Sequence, residues 1–252
     1  MKDDSRVAVV TGGDRGIGRA IAIALGRVGI NVAVNYRKNE KAALQTVKEI
    51  ELFGTKAISI AADVTNDEDI TNSVQETLSV FGKIDIFVSN AGVASRGNSV
   101  VDSDLGEARR LFDIHALGAM RFIKAVVPLM RQLIRGDVVV ISSHATRIYR
   151  PLGGTYTMAK AALEAMALTL AREERENNIR VNVIAPGITD TDMGRRMVKA
   201  RFGGEIREGV GKKMPFGRVA HPEEIAEMVR YLVSPEGSYI TGQVIYINGG
   251  SW

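Results

Sequence analysis

Tyr156 and Lys160 stand four residues apart in GGTYTMAKAAL, residues 153–163, a stretch that reads as helix. At that spacing a helix puts two side chains on one face about a turn apart, so a phenol and an ammonium can project into the same cleft. The chemistry open to them is proton transfer, because a nearby cation favours phenolate. A free tyrosine titrates near pH 10, and bringing it near 7 takes roughly 4 kcal/mol of anion stabilisation, more than one lysine in water supplies. A second positive charge or a dry site is therefore implied. Plain amphipathic neighbours show the same spacing, so the pair needs support from the rest of the chain.

Support comes from Thr11–Gly18, TGGDRGIG, which joins the apolar β-branched run RVAVVT to a segment of helical periodicity. In a strand, glycine turn, helix unit the backbone can approach a pyrophosphate whose charge is met by the helix N-terminus. This context predicts a dinucleotide loop built from Gly12, Asp14, Arg15, Gly16, Ile17 and Gly18. The second strand ends Asn35-Tyr36-Arg37, without the acid that would accept from a free ribose 2′-hydroxyl. Arg37 and Arg15 offer guanidinium to a 2′-phosphate instead, which predicts NADP(H) over NAD(H), unless both are solvated surface arginines. Asp63 and Val64 follow the third strand, and Asn90-Ala91-Gly92 the fourth. Loops there should border the adenosine and ribose, although Asp and Asn-x-Gly are also common turn formers.

These residues need a frame that gathers strand ends. Short apolar runs, RVAVVT, NVAVNY, KAISIAAD, IDIFVSN, DVVVISS, IRVNVIAP and QVIYING, alternate with helical segments. Strands buried on both faces between helices predict an α/β fold with a doubly wound parallel sheet (a Rossmann fold) of about seven strands. Helices are expected from Ala42 to Phe53, from a capping box at Thr65 to Glu68, over 104–134, through Tyr156 to about Glu176, and from Pro222. With 252 residues, 45% hydrophobic and 25% charged, a single domain over 1–252 is expected. A net charge of +4 is too weak to argue for nucleic acid, though it would attract an acidic or phosphorylated small ligand. The absence of cysteine excludes disulfides, thiolate metal sites and Cys nucleophiles, and no metal site is read elsewhere. Acids occupy the start, MKDDS, and no apolar run approaches the roughly 18 residues of a membrane span. A soluble cytoplasmic protein without a membrane partner is expected.

Together these motifs resemble the short-chain dehydrogenase/reductase family over nearly the whole chain. TGGDRGIG is similar to that family's TGxxxGxG, SNAG at 89–92 to its NNAG, and YTMAK to its YxxxK. Ser143, thirteen residues before Tyr156, matches its catalytic serine; PGITDT at 186–191 matches the segment that holds the nicotinamide carboxamide, assigning Pro186, Gly187, Ile188, Thr189 and Thr191 to the cofactor. NYRKNE, TDM and HPEEIA bring it closest in type to 3-oxoacyl-(acyl-carrier-protein) reductases. The resemblance implies that Tyr156 gives a proton to a carbonyl oxygen, that Ser143 hydrogen-bonds that oxygen, and that Lys160 binds the nicotinamide ribose and lowers the tyrosine pKa.

Two positions depart from the pattern. Ser89 replaces the first Asn of NNAG, and His115-Ala116-Leu117-Gly118 stands where the family carries an Asn that holds a proton-relaying water. His115 could hold the same water in a relay that titrates near pH 6.5, or simply pack inside the helix. Residues 191–220, rich in Gly, Met and charge, read as a substrate lid. Its Arg195, Arg196, Lys199, Arg201, Arg207, Lys212 and Lys213 suit either the phosphates of a thioester substrate or a solvated helix face. Carrier-protein reductases tend to have bases just before the fifth and sixth strands, where this chain has Ile134 and Asn177 with Arg135 and Arg180 nearby. The family commonly forms a homotetramer, with Trp252 expected between subunits. The expected activity is NADP(H)-dependent interconversion of a carbonyl and a secondary alcohol, the best substrate being a 3-oxoacyl thioester or similar ketone. A dinucleotide sensor or scaffold without chemistry is the alternative.

Overall fold

The computed structural model describes residues 5–203 and 211–251; Trp252 and part of the segment expected to form a lid, 191–220, lie outside the described residues. Seven strands, β1 (Val7–Thr11), β2 (Asn31–Tyr36), β3 (Ala57–Ala61), β4 (Ile86–Ser89), β5 (Gly136–Ile141), β6 (Ile179–Pro186) and β7 (Val244–Ile247), form one sheet in the order β3-β2-β1-β4-β5-β6-β7. Every pairing is parallel. The order reverses between β1 and β4, the switch point at whose carboxyl edge doubly wound sheets bind their ligands.

The strands carry apolar residues on both sides because helices cover both faces. Val9, Phe87, Val138 and Val140 belong to one core, with Phe122, Leu163 and Ala167 from the covering helices. Their neighbours Ala8, Val10, Val88 and Val139 point the other way, into a core with Ile21, Leu25, Ile225 and Val229. The alternation is the two-residue period of a strand made apolar on both faces.

One face carries α1 (Gly16–Gly26), α2 (Glu40–Glu51) and α9 (Pro222–Val233). On the other lie α3 (Asp67–Phe81), α5 (Gly118–Met130) and α7 (Gly154–Glu174), with α4 (Leu105–Phe112) packed on α7. The short α6 (Ala145–Ile148) follows β5, and α8 (Asp192–Phe202) follows β6. Two helix starts differ from expectation. Asn39 caps α2, which begins at Glu40 rather than Ala42, and Asn66 rather than Thr65 caps α3, accepting from the Glu68 and Asp69 amides. The Thr65 hydroxyl instead donates to Asp63 Oδ1 at 2.8 Å, an internal use that removes it from the cap.

The expected long helix over 104–134 is α4 and α5 joined through a π-helical turn, Asp113–Leu117. An extra residue in one turn leaves no mark on apolar periodicity, and it shifts which side chains face inward. Among the described residues no helix is long and apolar enough to cross a membrane.

Candidate active site

The glycine loop is shaped by contacts that only glycine permits. Gly12 and Gly16 take left-handed φ of 63° and 54°. A Cβ on Gly18 would lie 2.2 Å from the Gly12 carbonyl oxygen and 2.4 Å from Asn90 Nδ2, so α1 starts tight against the loop. Asn90 fastens this arrangement from β4, its amide donating to the carbonyls of Thr11 (2.9 Å) and Gly12 (3.2 Å). Thr11 Oγ1 accepts from the Asn90 and Ala91 backbone amides at 2.9 and 3.0 Å. The 186–191 segment reaches the same loop from β6: Thr191 Cγ2 would be 3.3 Å from a Cβ on Gly16. Pro186 accepts from the His144 amide, Gly187 donates to Ile247 O, and Thr189 bridges to Ala220, whose amide donates to Ile188 O and whose carbonyl accepts from the Asp190 amide. The cradle is filled by backbone and would be closed by any Cβ at Gly18, which is what close approach of a pyrophosphate requires. Ile17 stays partly open beside it.

The two predicted phosphate-facing arginines each have a carboxylate neighbour. Arg15 is held by the buried Asp14 at 2.7 Å, and Arg37 lies 3.7 Å from Asp63, both guanidiniums remaining about half exposed. Burial works to raise the Asp63 pKa, but hydrogen bonds from Thr65 and the charges of Arg37 and Lys38 outweigh it and hold the carboxyl below its usual range. Tyr36, at the end of β2, is partly open, and burial with two nearby glutamates raises its phenol pKa. Val64 is buried where Gly118 lets the α5 backbone approach: a Cβ on Gly118 would meet Val64 Cγ2 at 2.9 Å.

Ser143, Tyr156, Lys160 and His115 come together at the carboxyl end of β5. Tyr156 and Lys160 share the inner face of α7, and Ser143 lies close enough to Tyr156 to oppose the rise of its phenol pKa. Lys160 is only 4% exposed, and its Nζ donates to Ile141 O at 2.7 Å. Burial lowers its pKa to about 7, against an upward pull from Glu164. Burial likewise raises the Tyr156 pKa, with Ser143 opposing. The expected lowering of the phenol by Lys160 is thus corrected. Nζ sits 6.0 Å from the ring centroid, and desolvation of the phenolate dominates.

The π turn turns His115 inward, where its ring meets Tyr156 edge-on at 5.3 Å between centroids. Nε2 is 2.9 Å from the Val93 carbonyl and 3.4 Å from the Val93 amide, so the shorter contact assigns Nε2–H as donor to the carbonyl. Nδ1 is then a buried acceptor with no partner among the described residues. Gly92 admits the ring, since a Cβ there would come within 2.6 Å of His115 Cε1.

Burial, followed by the charge of Lys160, pushes the His115 pKa down to about 3, with Arg110 adding and the Val93 hydrogen bond opposing. A relay titrating near pH 6.5 is therefore corrected: this imidazole is neutral at physiological pH. The sign for stability follows. Unfolded His115 takes up a proton near pH 6.5 and the folded ring does not, so stability falls as pH drops from about 6.5 towards 3, by at most about 1.4 kcal/mol per pH unit. His115→Asn is expected to flatten this part of the curve in urea unfolding at pH 7 and pH 5.

Sequence reasoning missed the partners around Ser143. Glu164 Oε1 accepts from Ser142 Oγ at 2.5 Å and Thr146 Oγ1 at 2.8 Å. The only trace in the sequence is that Glu164 extends the Tyr156, Lys160 spacing by one more turn. His144 is buried against Tyr246 and Asn248, Nε2 3.0 Å from Asn248 Nδ2. In the segment 191–220 Thr191 caps α8, Arg195 pairs with Asp190 and Asp192, and Val198 and Val219 bury a small cluster. Arg201 and Arg207 fall where side chains are not described, while Arg196, Lys199, Lys212 and Lys213 are exposed.

A family model described as enoyl-(acyl carrier protein) reductase matches residues 12–251. Among characterised relatives, glucose 1-dehydrogenase 2 of Bacillus subtilis is 35% identical, with 97% of this chain and 94% of that protein covered. The 3-oxoacyl-[acyl-carrier-protein] reductase of Synechocystis sp. is 34% identical, over 98% and 96%. A solved short-chain dehydrogenase from Burkholderia cenocepacia, in complex with NADP, is 32% identical with a TM-score of 0.87 over 99% of both chains. A 7α-hydroxysteroid dehydrogenase complexed with NADH and 7-oxo glycochenodeoxycholic acid is 30% identical with a TM-score of 0.89, over 99% and 95%. With the parallel seven-stranded sheet, the glycine cradle and Ser143, Tyr156 and Lys160 at one strand end, the chain belongs to the short-chain dehydrogenase/reductase family, oxidoreductases that bind a nicotinamide dinucleotide and act on carbonyl or CH–OH groups.

Proposed function

We propose that this enzyme is an NADP(H)-dependent reductase of a ketone to a secondary alcohol, with Tyr156 as general acid in that direction and general base in the reverse. The observation that carries the reading is the gathering of Ser143 and Tyr156 beside buried Lys160 at the carboxyl end of β5. When bound, the nicotinamide supplies or accepts the hydride. Tyr156, kept protonated by its burial, gives its proton to the carbonyl oxygen, and Ser143 holds that oxygen by a hydrogen bond. Lys160 binds the ribose and passes a proton towards Tyr156; His115 Nδ1, an unfilled buried acceptor, takes the relay position of the family's Asn. His115→Asn is expected to alter the rate while adding no pH limb between 5 and 9. An unchanged rate would remove His115 from the relay.

The phosphate groups would be met by the Gly12–Gly18 loop, and a 2′-phosphate by Arg37. Only charge-assisted contacts to that phosphate distinguish the two cofactors, so Arg37→Ala should weaken NADPH binding by about tenfold to a hundredfold and leave NADH within about twofold. Calorimetric titration of both cofactors checks this, and equal effects on both would reassign Arg37 to Asp63 alone.

The substrate class we favour is a 3-oxoacyl thioester or similar ketone, taken free rather than from a carrier protein. Arg135 and Arg180, the bases nearest the expected carrier-docking positions, are both bound to Asp137, at 3.0 and 2.6 Å. Turnover of NADPH across 3-oxoacyl thioesters, quinones and small ketones tests the class. The segment 191–220 acts as its lid. We further propose a cytoplasmic homotetramer: Leu105, Leu117 and Met158 are exposed and line one apolar depression formed by α4, the π turn and α7.

A further inference from the structure

We infer that Glu164 is a positioning residue for the reaction: from α7 it holds the hydroxyls on both sides of Ser143 and so sets Ser143 against Tyr156, while its charge faces Lys160. The inference rests on the assignment of Ser143, Tyr156 and Lys160 given above, and adds to that set a fourth member, on the helix face of Tyr156 and Lys160.

Three observations converge on this carboxylate. Tyr156, Lys160 and Glu164 recur at four-residue intervals on α7, so they stack along one face. Glu164 Oε1 accepts from Ser142, the residue before Ser143, and from Thr146, three residues after it. Ser143 thus sits in a loop pinned at both ends to the helix that carries Tyr156. Finally, the other bonds of this loop run through its backbone and His144: the Ser142 amide donates to Ile184 O and the His144 amide to Pro186 O. Among the described residues the Ser143 hydroxyl itself accepts a single 3.2 Å contact, from the Ala145 amide, so its side chain is placed through the residues around it. A hydrogen bond from Ser143 is useful to the reacting oxygen only if the distance from Ser143 to Tyr156 is fixed, and the Glu164 contacts fix it.

The charge has a separate consequence. Lys160 is surrounded by Tyr156 on its own helix, by neutral His115 from the π turn and by the Ile141 carbonyl of β5. Glu164 is the anion that opposes its loss of charge on burial, and it keeps Lys160 protonated further up the pH scale.

Two substitutions separate these roles because both hydroxyls bond the same oxygen. Glu164→Gln can keep Oε1 as acceptor and loses only the charge, whereas Glu164→Ala loses both. In Glu164→Gln, kcat at pH 6 is expected within about twofold of the parent, with the alkaline limb of kcat moved to lower pH. The Lys160 titration, followed by NMR of 13Cε-labelled lysine, should move in the same direction. In Glu164→Ala, kcat should fall by about tenfold or more with the NADPH KM little changed, since hydrogen bonds to a charged group are lost. Ser142→Ala combined with Thr146→Val removes the same contacts from the other end and should reproduce that fall, which keeps the test decisive if Glu164→Ala does not fold. Unchanged kcat in both of these, or an unmoved Lys160 titration in Glu164→Gln, would overturn the inference. Tyr156→Phe run alongside distinguishes the failures. If it stays fully active the catalytic reading itself is wrong, and if it is inactive while the Glu164 variants are normal only the positioning role is lost.

Discussion

Tyr156→Phe is expected to lower kcat for ketone reduction by about a hundredfold to ten-thousandfold, the usual range for loss of a general acid, while leaving the affinity for NADPH nearly unchanged. The substitution removes one oxygen from a ring that stays packed edge-on against His115, so the fold should tolerate it. Direction and pH dependence follow from the burial that raises the phenol pKa. A protonated phenol is the form needed to reduce a carbonyl, so reduction should be sustained through neutral pH and fail on the alkaline side. Oxidation of the alcohol needs phenolate, so its rate should climb with pH over the same interval. Steady-state rates in both directions from pH 6 to 10, with cofactor affinity measured separately, check the prediction. Undiminished turnover in Tyr156→Phe would exclude the proton-donor role. NADPH binding without turnover on any ketone in the wild type would point instead to a dinucleotide sensor.

The parts of this site legible in the sequence are those written in local spacing. Gly12, Gly16 and Gly18 stand between a strand and a helix, and Tyr156 and Lys160 are a helical turn apart; each signal fits within one or two elements, whereas Ser143 is marked only by the family resemblance. The alternation of strands and helices likewise declares a parallel sheet, because crossover helices must cover both faces. What could not be read depends on contacts between elements. Glu164 is one more charged residue on a helix until β5 and α7 are side by side and Ser142 and Thr146 are seen to reach it. His115 has an ordinary pKa until the π turn buries it beside Lys160, and a π turn carries no apolar pattern of its own. Thr65 and Asn66 are both good caps, and which one serves depends on the use Asp63 makes of the threonine hydroxyl. Ile134 and Asn177, where a base is expected, already weaken a carrier-protein reading, but nothing in the spacing of Arg135 and Arg180 shows that both reach Asp137.

Asp137→Asn should destabilise the fold by about 3–5 kcal/mol without touching catalysis in the molecules that remain folded. Asp137 lies at the start of β5, in register with Arg180 on β6 and Ile86 on β4, at the edge of the sheet opposite the active site. Three guanidiniums converge on its buried carboxylate: Arg6 at 2.6 Å, Arg135 at 3.0 Å and Arg180 at 2.6 Å. The same arginines donate to backbone carbonyls at and just beyond the end of α9, Arg6 and Arg135 to Val233 and Arg180 to Gly237. One side chain therefore ties the entry to β1, β5 and β6 and the exit of α9. Burial lowers the Arg180 pKa and Asp137 is the main influence raising it, so a neutral Asn would leave a buried cation beside two half-shielded ones with no counter-charge. Arg6 and Arg135 reach solvent and will recover part of their hydration, which places most of the loss on Arg180. Urea unfolding should show a lower midpoint at unchanged slope. Adding Arg180→Met to Asp137→Asn removes the stranded charge and should restore part of the stability, a coupling the double-mutant cycle measures directly. If Asp137→Asn instead lowers kcat at unchanged stability, the two edges of the sheet are coupled and the separation of scaffold from site drawn here fails.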